Sequence, residues 1–216
     1  MKVIALCRFG PQQIDWSVLD QLNPAGGPPR LFVVGAPPYG LPYAPPSDPD
    51  PLASSQLYDV AAIWDDIAQA PDFAPLLTAG VLVHAWSVQP TLGYSREPYG
   101  DDREALTLVG RLMFHADLPD SAAQRSWALH AALAERVHIG ACHYVQNWVL
   151  EALVPDCPPT RGLPELRFPN EAAAVDRFFD SDRGRMEILQ DTAHFVAGGP
   201  RLYLRQRGGD RVTARS

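Results

Sequence analysis

The sequence predicts an α+β protein in which two tandem ferredoxin-like units, each β-α-β-β-α-β, pack sheet to sheet around an apolar interior. Three observations lead there. The 216 residues are enough for two domains of roughly 100 residues each. Apolar residues make up 46% of the chain and charged residues 20%, which supports a packed core. The same order of elements also appears twice, about a hundred residues apart, more by element order than by letters.

The first unit covers residues 1–96. It opens on an apolar strand, Lys2–Phe9, and Leu31-Phe-Val-Val34 reads as the next. Ten of the 22 prolines fall between Pro24 and Pro51. Proline fixes φ and donates no hydrogen bond, so residues 36–51 read as a long loop. Tyr39 and Tyr43 in it suit either a lid with aromatic surface or a plain insertion. A strand over Leu57–Trp64, a helix over Asp65–Ala70, a second helix after Pro71 and a strand over Val81–Val88 follow. The turn-rich stretch Pro90–Arg103 is the expected boundary.

The second unit, residues 103–208, repeats the programme. Ala105–Phe114 reads as a strand, and Ser121 with Gln124 has the form of a capping box opening a helix to Arg136. His138–Gly140 reads as a turn, then strands at Ala141–Val149 and Leu163–Phe168. Asn170 is placed to cap a helix from Glu171, whose Ala172, Val175, Phe178 and Phe179 recur at helical spacing. A helical stretch near Arg183–Asp191 and a closing strand at Arg201–Gln206 complete it. Residues 209–216 read as a flexible tail.

Composition excludes several function classes. A net charge of −7 disfavours nucleic-acid binding. Cys7, Cys142 and Cys157 are an odd number without CxxC spacing, which fits a reducing compartment better than a disulfide framework. With no 18-residue apolar run and no leader-like start, the expectation is a soluble cytoplasmic protein without a membrane partner. His130, His138 and His143 have no metal-ligand spacing, so no metal is expected. The chain lacks GxGxxG, P-loop and GxSxG motifs, so no cofactor is expected either.

Two facing sheets would enclose an apolar space, which makes the barrel centre the default ligand site. His130 is the first catalytic candidate. It lies three residues after Trp127 on the apolar face of its helix, where burial tunes an imidazole for acid–base work. A core histidine bonded to a carbonyl is the bland alternative. On the strand Ala141–Val149 alternate side chains part company. If Tyr144 and Gln146 meet the helices, His143 and Asn147 reach the interior as further catalytic candidates, and the opposite assignment exchanges the pairs. Asn147 could hold a developing oxyanion. Trp127, Tyr144, Arg111, His84, Trp86 and Tyr39 are the candidate substrate contacts. Arg111 would clamp a carboxylate if it points inward and is merely solvated if it does not.

Trp127-Ala-Leu-His130 followed by His143-Tyr-Val-Gln-Asn147 resembles the EthD family of dimeric α/β-barrel proteins. So does Gly162-Leu-Pro-Glu-Leu-Arg-Phe168, which is similar to that family's Gly-Ile-Ala-Glu-Leu-Trp-Phe segment. Asp180-Ser-Asp-Arg-Gly-Arg185, His194-Phe195 and the last strand follow the family order, and Tyr58-Asp-Val-Ala-Ala-Ile-Trp64 is the matching stretch in the first unit. The resemblance implies a barrel closed within one chain as a pseudo-dimer. The first copy departs from the pattern, because Ile14–Leu22 carries an aromatic but no histidine.

The resemblance implies a cofactor-independent enzyme acting on a hydrophobic aromatic or polyketide-like small molecule. Histidine acid–base chemistry of the lyase type (decarboxylation, elimination or cyclisation) fits the residues best. The alternatives are a non-catalytic binding or accessory protein and a cofactor-free monooxygenase. The expected partner is the small molecule itself, with a homodimer as the second candidate assembly.

Overall fold

The computed structural model describes residues 1–10, 14, 16–20, 22, 27–42, 57–97 and 103–207. Elements run β1 (Lys2–Arg8), α1 (Trp16–Asp20), β2 (Arg30–Gly35), β3 (Val60–Trp64), α2 (Ala74–Thr78), β4 (Leu82–Ser95) and β5 (Leu106–Gly110). They continue with β6 (Met113–Phe114), α3 (Asp120–Val137), β7 (His143–Ala152), β8 (Gly162–Phe168), α4 (Glu171–Asp176), α5 (Asp182–Ala193), β9 (Val196–Gly198) and β10 (Arg201–Gln206). Tyr43, the loop beyond residue 42 and the tail at 209–216 lie outside the described residues.

Eight strands close into an antiparallel barrel in the order β1-β3-β2-β10-β5-β8-β7-β4, and β6 pairs with β9 separately. Within the first half the order is β4-β1-β3-β2, and within the second β10-β5-β8-β7. The halves meet edge to edge, through β2 with β10 and β4 with β7, rather than as two opposed faces. Closure of this kind leaves no unpaired strand edge.

Strand alternation sorts the apolar residues. Ile4, Leu6, Phe32, Ile63, Trp86, Val109, Leu163 and Leu204 belong to a cluster drawn from both halves and containing no helix residue, so they fill the barrel. Their neighbours point outward. Val3, Ala5, Ala62 and Trp64 pack with Leu19 and Leu76 of α1 and α2. Leu106, Leu108, Tyr144 and Leu166 pack with Ala134, Val137 and Ile188 of α3 and α5. Both faces of these strands are therefore covered, as in β1, whose first six residues are buried.

Polar groups occupy the barrel's ends. Lys2 Nζ lies 2.7 Å from Glu165 Oε2, and Arg30 Nη2 lies 3.3 Å from Oε1 of the same carboxylate. Asp65, just after β3, joins them. At the opposite end of β3, the Tyr58 hydroxyl is 2.6 Å from His84 Nδ1 and accepts from Arg111 Nη1 at 3.4 Å.

Several expectations are corrected. No helix forms over residues 65–70. Asp66 has φ 54, outside the helical region, and the Ile67 amide bonds the Met1 carbonyl instead of a preceding turn. Ser121 does not cap α3: the cap position is Pro119, in an extended conformation without a side-chain cap bond, and Asp120 in the first turn pairs with Arg161. The cap at Asn170 does form, accepting from the Ala173 amide, and Ser181, not among the expected caps, accepts from the Gly184 amide at the start of α5.

The strand expected to stop at Val88 runs on to Ser95 and pairs with β7, with register shifts at Ser87/Val88 and Leu92/Tyr94. Beyond Val88 it has lost β1 as a neighbour, so Pro90, which has no N–H, is tolerated there. Gly93 is needed for a different reason. A Cβ there would sit 2.6 Å from Tyr144 Cδ1 and 3.3 Å from the Tyr144 carbonyl oxygen. Gly93→Ala should cost about 1–3 kcal/mol by overpacking, read as a lower urea midpoint with an unchanged slope. Among the described residues, no helix is long and apolar enough to cross a membrane.

Candidate functional site

The barrel centre holds a cluster of buried apolar side chains, and the candidate cavity lies elsewhere. It has a volume of about 360 Å3 and sits between the outer face of the second-half sheet and the helices α3 and α5. Leu108, Tyr144 and Leu166 form its sheet side. Trp127, His130 and Ala134 of α3 face them, with Phe178, Phe195 and Ile188 closing the walls. Inward-pointing apolar side chains from both halves cluster inside the barrel. The cavity instead lies between the outer face and two helices, with Trp127, Phe178 and Phe195 among its lining.

The helix period explains why His130 arrives here. Ala123, Trp127, His130, Ala134 and Val137 are the buried residues of α3, at spacings of four, three, four and three. An apolar stripe so spaced must turn inward, and it carries one imidazole with it. His130 is only 7% exposed. Its Nδ1 lies 2.7 Å from Asp191 Oδ2 on α5, so Nδ1 carries the proton shared with the carboxylate. Nε2 is then the basic nitrogen of the neutral ring, and no hydrogen-bond partner among the described residues occupies it. Tyr144 and Phe195 meet the ring edge-on, with centroids 6.5 and 5.8 Å away. Asp191 itself is 40% exposed at the side chain, so it keeps contact with water.

Beneath this dyad the polar groups are mutually satisfied. The Tyr144 hydroxyl accepts from Trp127 Nε1 at 2.8 Å and from Gln146 Nε2 at 3.2 Å. Gln146 Nε2 also donates to the Trp127 carbonyl. Burial pushes the Tyr144 phenol up to about 12, against the help of those two donors, so it stays protonated. Tyr144 is therefore a support for Trp127. Tyr144→Phe strands the buried indole N–H and should cost about 1–3 kcal/mol of stability, measurable as a shift in the denaturation midpoint.

The expected site residues divide by location. Trp127, His130 and Tyr144 come together at the cavity. His143 lies on the other face of β7, with Nδ1 3.1 Å from Ser95 Oγ. Asn147 is fully buried, and its Nδ2 donates to the Leu163 carbonyl at 2.8 Å. Neither lines the cavity around His130, because strand alternation sends them away from the helices. Arg111, His84 and Trp86 gather at the barrel end described above, with the His84 and Trp86 rings 6.2 Å apart. Burial, followed by the Arg111 charge, lowers the His84 pKa. Burial raises that of Tyr58 against the same arginine. Tyr39 is fully exposed on the surface.

Asp191, the partner of His130, is not among the residues the sequence singles out, and His138, weighed there only for metal spacing, lines the cavity. The one available signal for Asp191 was its position three residues after Ile188 on a helix, which places it near that helix's buried side. Nothing in the letters links it to a histidine 61 positions earlier. His138 ends α3, eight residues after His130. Among the described residues, no three His, Cys, Asp or Glu side chains gather as a metal site.

No family model and no curated protein matches the chain. Solved structures do. An anthrone oxidase-like protein aligns over 100% of this chain and 96% of its own, at 13% identity and a TM-score of 0.54. A candidate monooxygenase of Lactobacillus acidophilus NCFM aligns over 94% and 92% at 10% identity and a TM-score of 0.48. A second, of Fusobacterium nucleatum, aligns over 95% and 90% at 8% identity, also at 0.48. The likeness to the anthrone oxidase-like protein, together with the closed antiparallel barrel and its outer helices, gives this chain a fold of the dimeric α/β-barrel type.

Proposed function

We propose that this protein is a cofactor-independent enzyme that binds a hydrophobic aromatic or polyketide-like small molecule in the cavity between the second-half sheet and α3 and α5. His130 moves the proton. One observation carries this reading: a buried imidazole lines an apolar cavity, and its far nitrogen rests on a carboxylate 2.7 Å away. Asp191 sets the tautomer and favours the imidazolium once Nε2 has taken a proton from a ligand O–H or C–H. The apolar walls exclude competing water.

Removing that proton begins an elimination or cyclisation, and returning it from the imidazolium to the carbon that loses carbon dioxide completes a decarboxylation, which makes lyase chemistry the first reading. It also begins the cofactor-free oxygenation of an electron-rich phenol. Membership of the EthD family and the tandem ferredoxin-like plan of residues 1–96 and 103–208 belong to the same proposal. The repeated strand order, β4-β1-β3-β2 and β10-β5-β8-β7, supports that plan.

The test is to incubate the protein with a panel of hydroxylated aromatic acids and polyketides and follow each compound by mass spectrometry, with oxygen uptake in parallel. A product lighter by carbon dioxide identifies a decarboxylase, and one heavier by oxygen with oxygen consumed identifies an oxygenase. Retention of compounds without conversion favours the accessory binding protein, a reading that the absence of a histidine from Ile14–Leu22 favours.

A further inference from the structure

The cavity holds a second imidazole, and its environment differs from that of His130. His138 is 5% exposed and lines the same space. Its Nδ1 lies 2.9 Å from the Phe178 carbonyl oxygen. A carbonyl only accepts, so Nδ1 must carry the hydrogen and Nε2 is a bare acceptor. Phe178 meets the ring edge-on at 4.9 Å and Phe179 lies at 5.4 Å, which fixes its orientation. Among the described residues, nothing donates to Nε2.

We propose that His138 is a second ligand-binding residue of this cavity, whose Nε2 accepts a hydrogen bond from a hydroxyl at the far end of an aromatic ligand. The proposal rests on the cavity being the ligand site and adds the class of ligand: a fused-ring phenol rather than a plain hydrocarbon or its ether. Eight residues separate His138 from His130, about 12 Å along a helix axis at 1.5 Å per residue. One benzene ring does not bridge that distance, whereas two or three fused rings carrying a hydroxyl at one end do.

Burial holds His138 neutral, with a pKa lowered to about 4 despite the Phe178 carbonyl. The charges of Arg201, which lines the same cavity, and Arg96 act in the same direction. A neutral imidazole locked in this tautomer is an acceptor only. A ligand lacking an O–H leaves it buried and unpaired, and a site so built discriminates against that ligand.

The probes are 2-naphthol, 2-methoxynaphthalene and naphthalene, titrated calorimetrically into the full chain and into two variants. His138→Asn keeps a donor to the Phe178 carbonyl and has no atom at the Nε2 position. His138→Gln keeps an acceptor near that position. The wild type should bind naphthol about 3- to 10-fold more tightly than the ether or naphthalene, the value of one net hydrogen bond. His138→Asn should lose the preference and His138→Gln should retain part of it. In the wild type, the side-chain 15N resonance of His138 Nε2 should move on adding naphthol and stay in place with the ether, a reading independent of how the variants fold.

Equal binding of the three probes by the wild type overturns the role of His138 and leaves the cavity reading standing. So does a preference that survives His138→Asn, or an Nε2 resonance that naphthol does not move. If none of the probes binds, the cavity reading falls as well.

Discussion

His130→Ala should lower turnover of a converted aromatic substrate by about 10²–10⁴-fold, the usual contribution of a positioned acid–base group. Folding should survive, because the ring borders a cavity and its one hydrogen-bond partner, Asp191, keeps access to water. Asp191→Asn should cost less, about tenfold on kcat, with KM little changed. Asparagine still accepts from Nδ1, but it carries no charge to favour the imidazolium. The double variant should be no slower than His130→Ala alone, since Asp191 acts only through His130. Steady-state kinetics on variants with matched circular dichroism check all three. Full activity in a folded His130→Ala protein would remove the proposed mechanism.

The largest stability effect should come from the barrel's interior. Glu165 is 5% exposed, with Lys2 at 2.7 Å and Arg30 at 3.3 Å. Glu165→Ala leaves the buried Lys2 ammonium with only the more distant Asp65 carboxylate, at 3.5 Å, and should cost about 3–5 kcal/mol, read from urea unfolding. Replacing Glu165 and its buried partner together, as Glu165→Leu with Lys2→Met, should recover part of that, because the buried ammonium is gone and Arg30 keeps its pairing with Asp65.

The pH dependence follows from the same triad. Burial alone would raise the Glu165 pKa, but the charges and hydrogen bonds of Lys2 and Arg30 outweigh it and the net direction is down. A carboxylate depressed in the folded state adds stability above its unfolded value of about 4.3. That stability is lost as the pH falls through the folded pKa. The wild type should therefore lose stability below about pH 4 more steeply than a Glu165→Gln variant, which no longer titrates there. Acid titration of the denaturant midpoint in both proteins measures the difference.

Local pattern carried much of the architecture. The closing strand Arg201–Gln206 and the helix over 120–137 follow from period alone, because apolar residues at spacing two or three-to-four have only one face to bury. The segment 65–70 misled for a local reason as well: its letters suit a helix, but its backbone bonds go to Met1, which no window around it contains. Similarly, Pro90 and Gly93 look like a linker and are strand: Pro90 is tolerated because pairing with β1 has already ended, and Gly93 makes room for Tyr144 of the neighbouring β7.

The candidate site divides along the same line. From its own letters, the chain determines an apolar helical stripe that carries Trp127 and His130, and a strand that sends Tyr144 to one face and His143 and Asn147 to the other. Where the empty space lies was decided only by the tertiary structure. Interior side chains from both halves cluster inside the barrel, while a cavity lies between the outer sheet face and α3 and α5. The pairing of His130 with Asp191 and of His138 with the Phe178 carbonyl is likewise tertiary. Periodicity constrains residues within one element, whereas the chemistry of an imidazole is set by which group a different element brings within 3 Å of it.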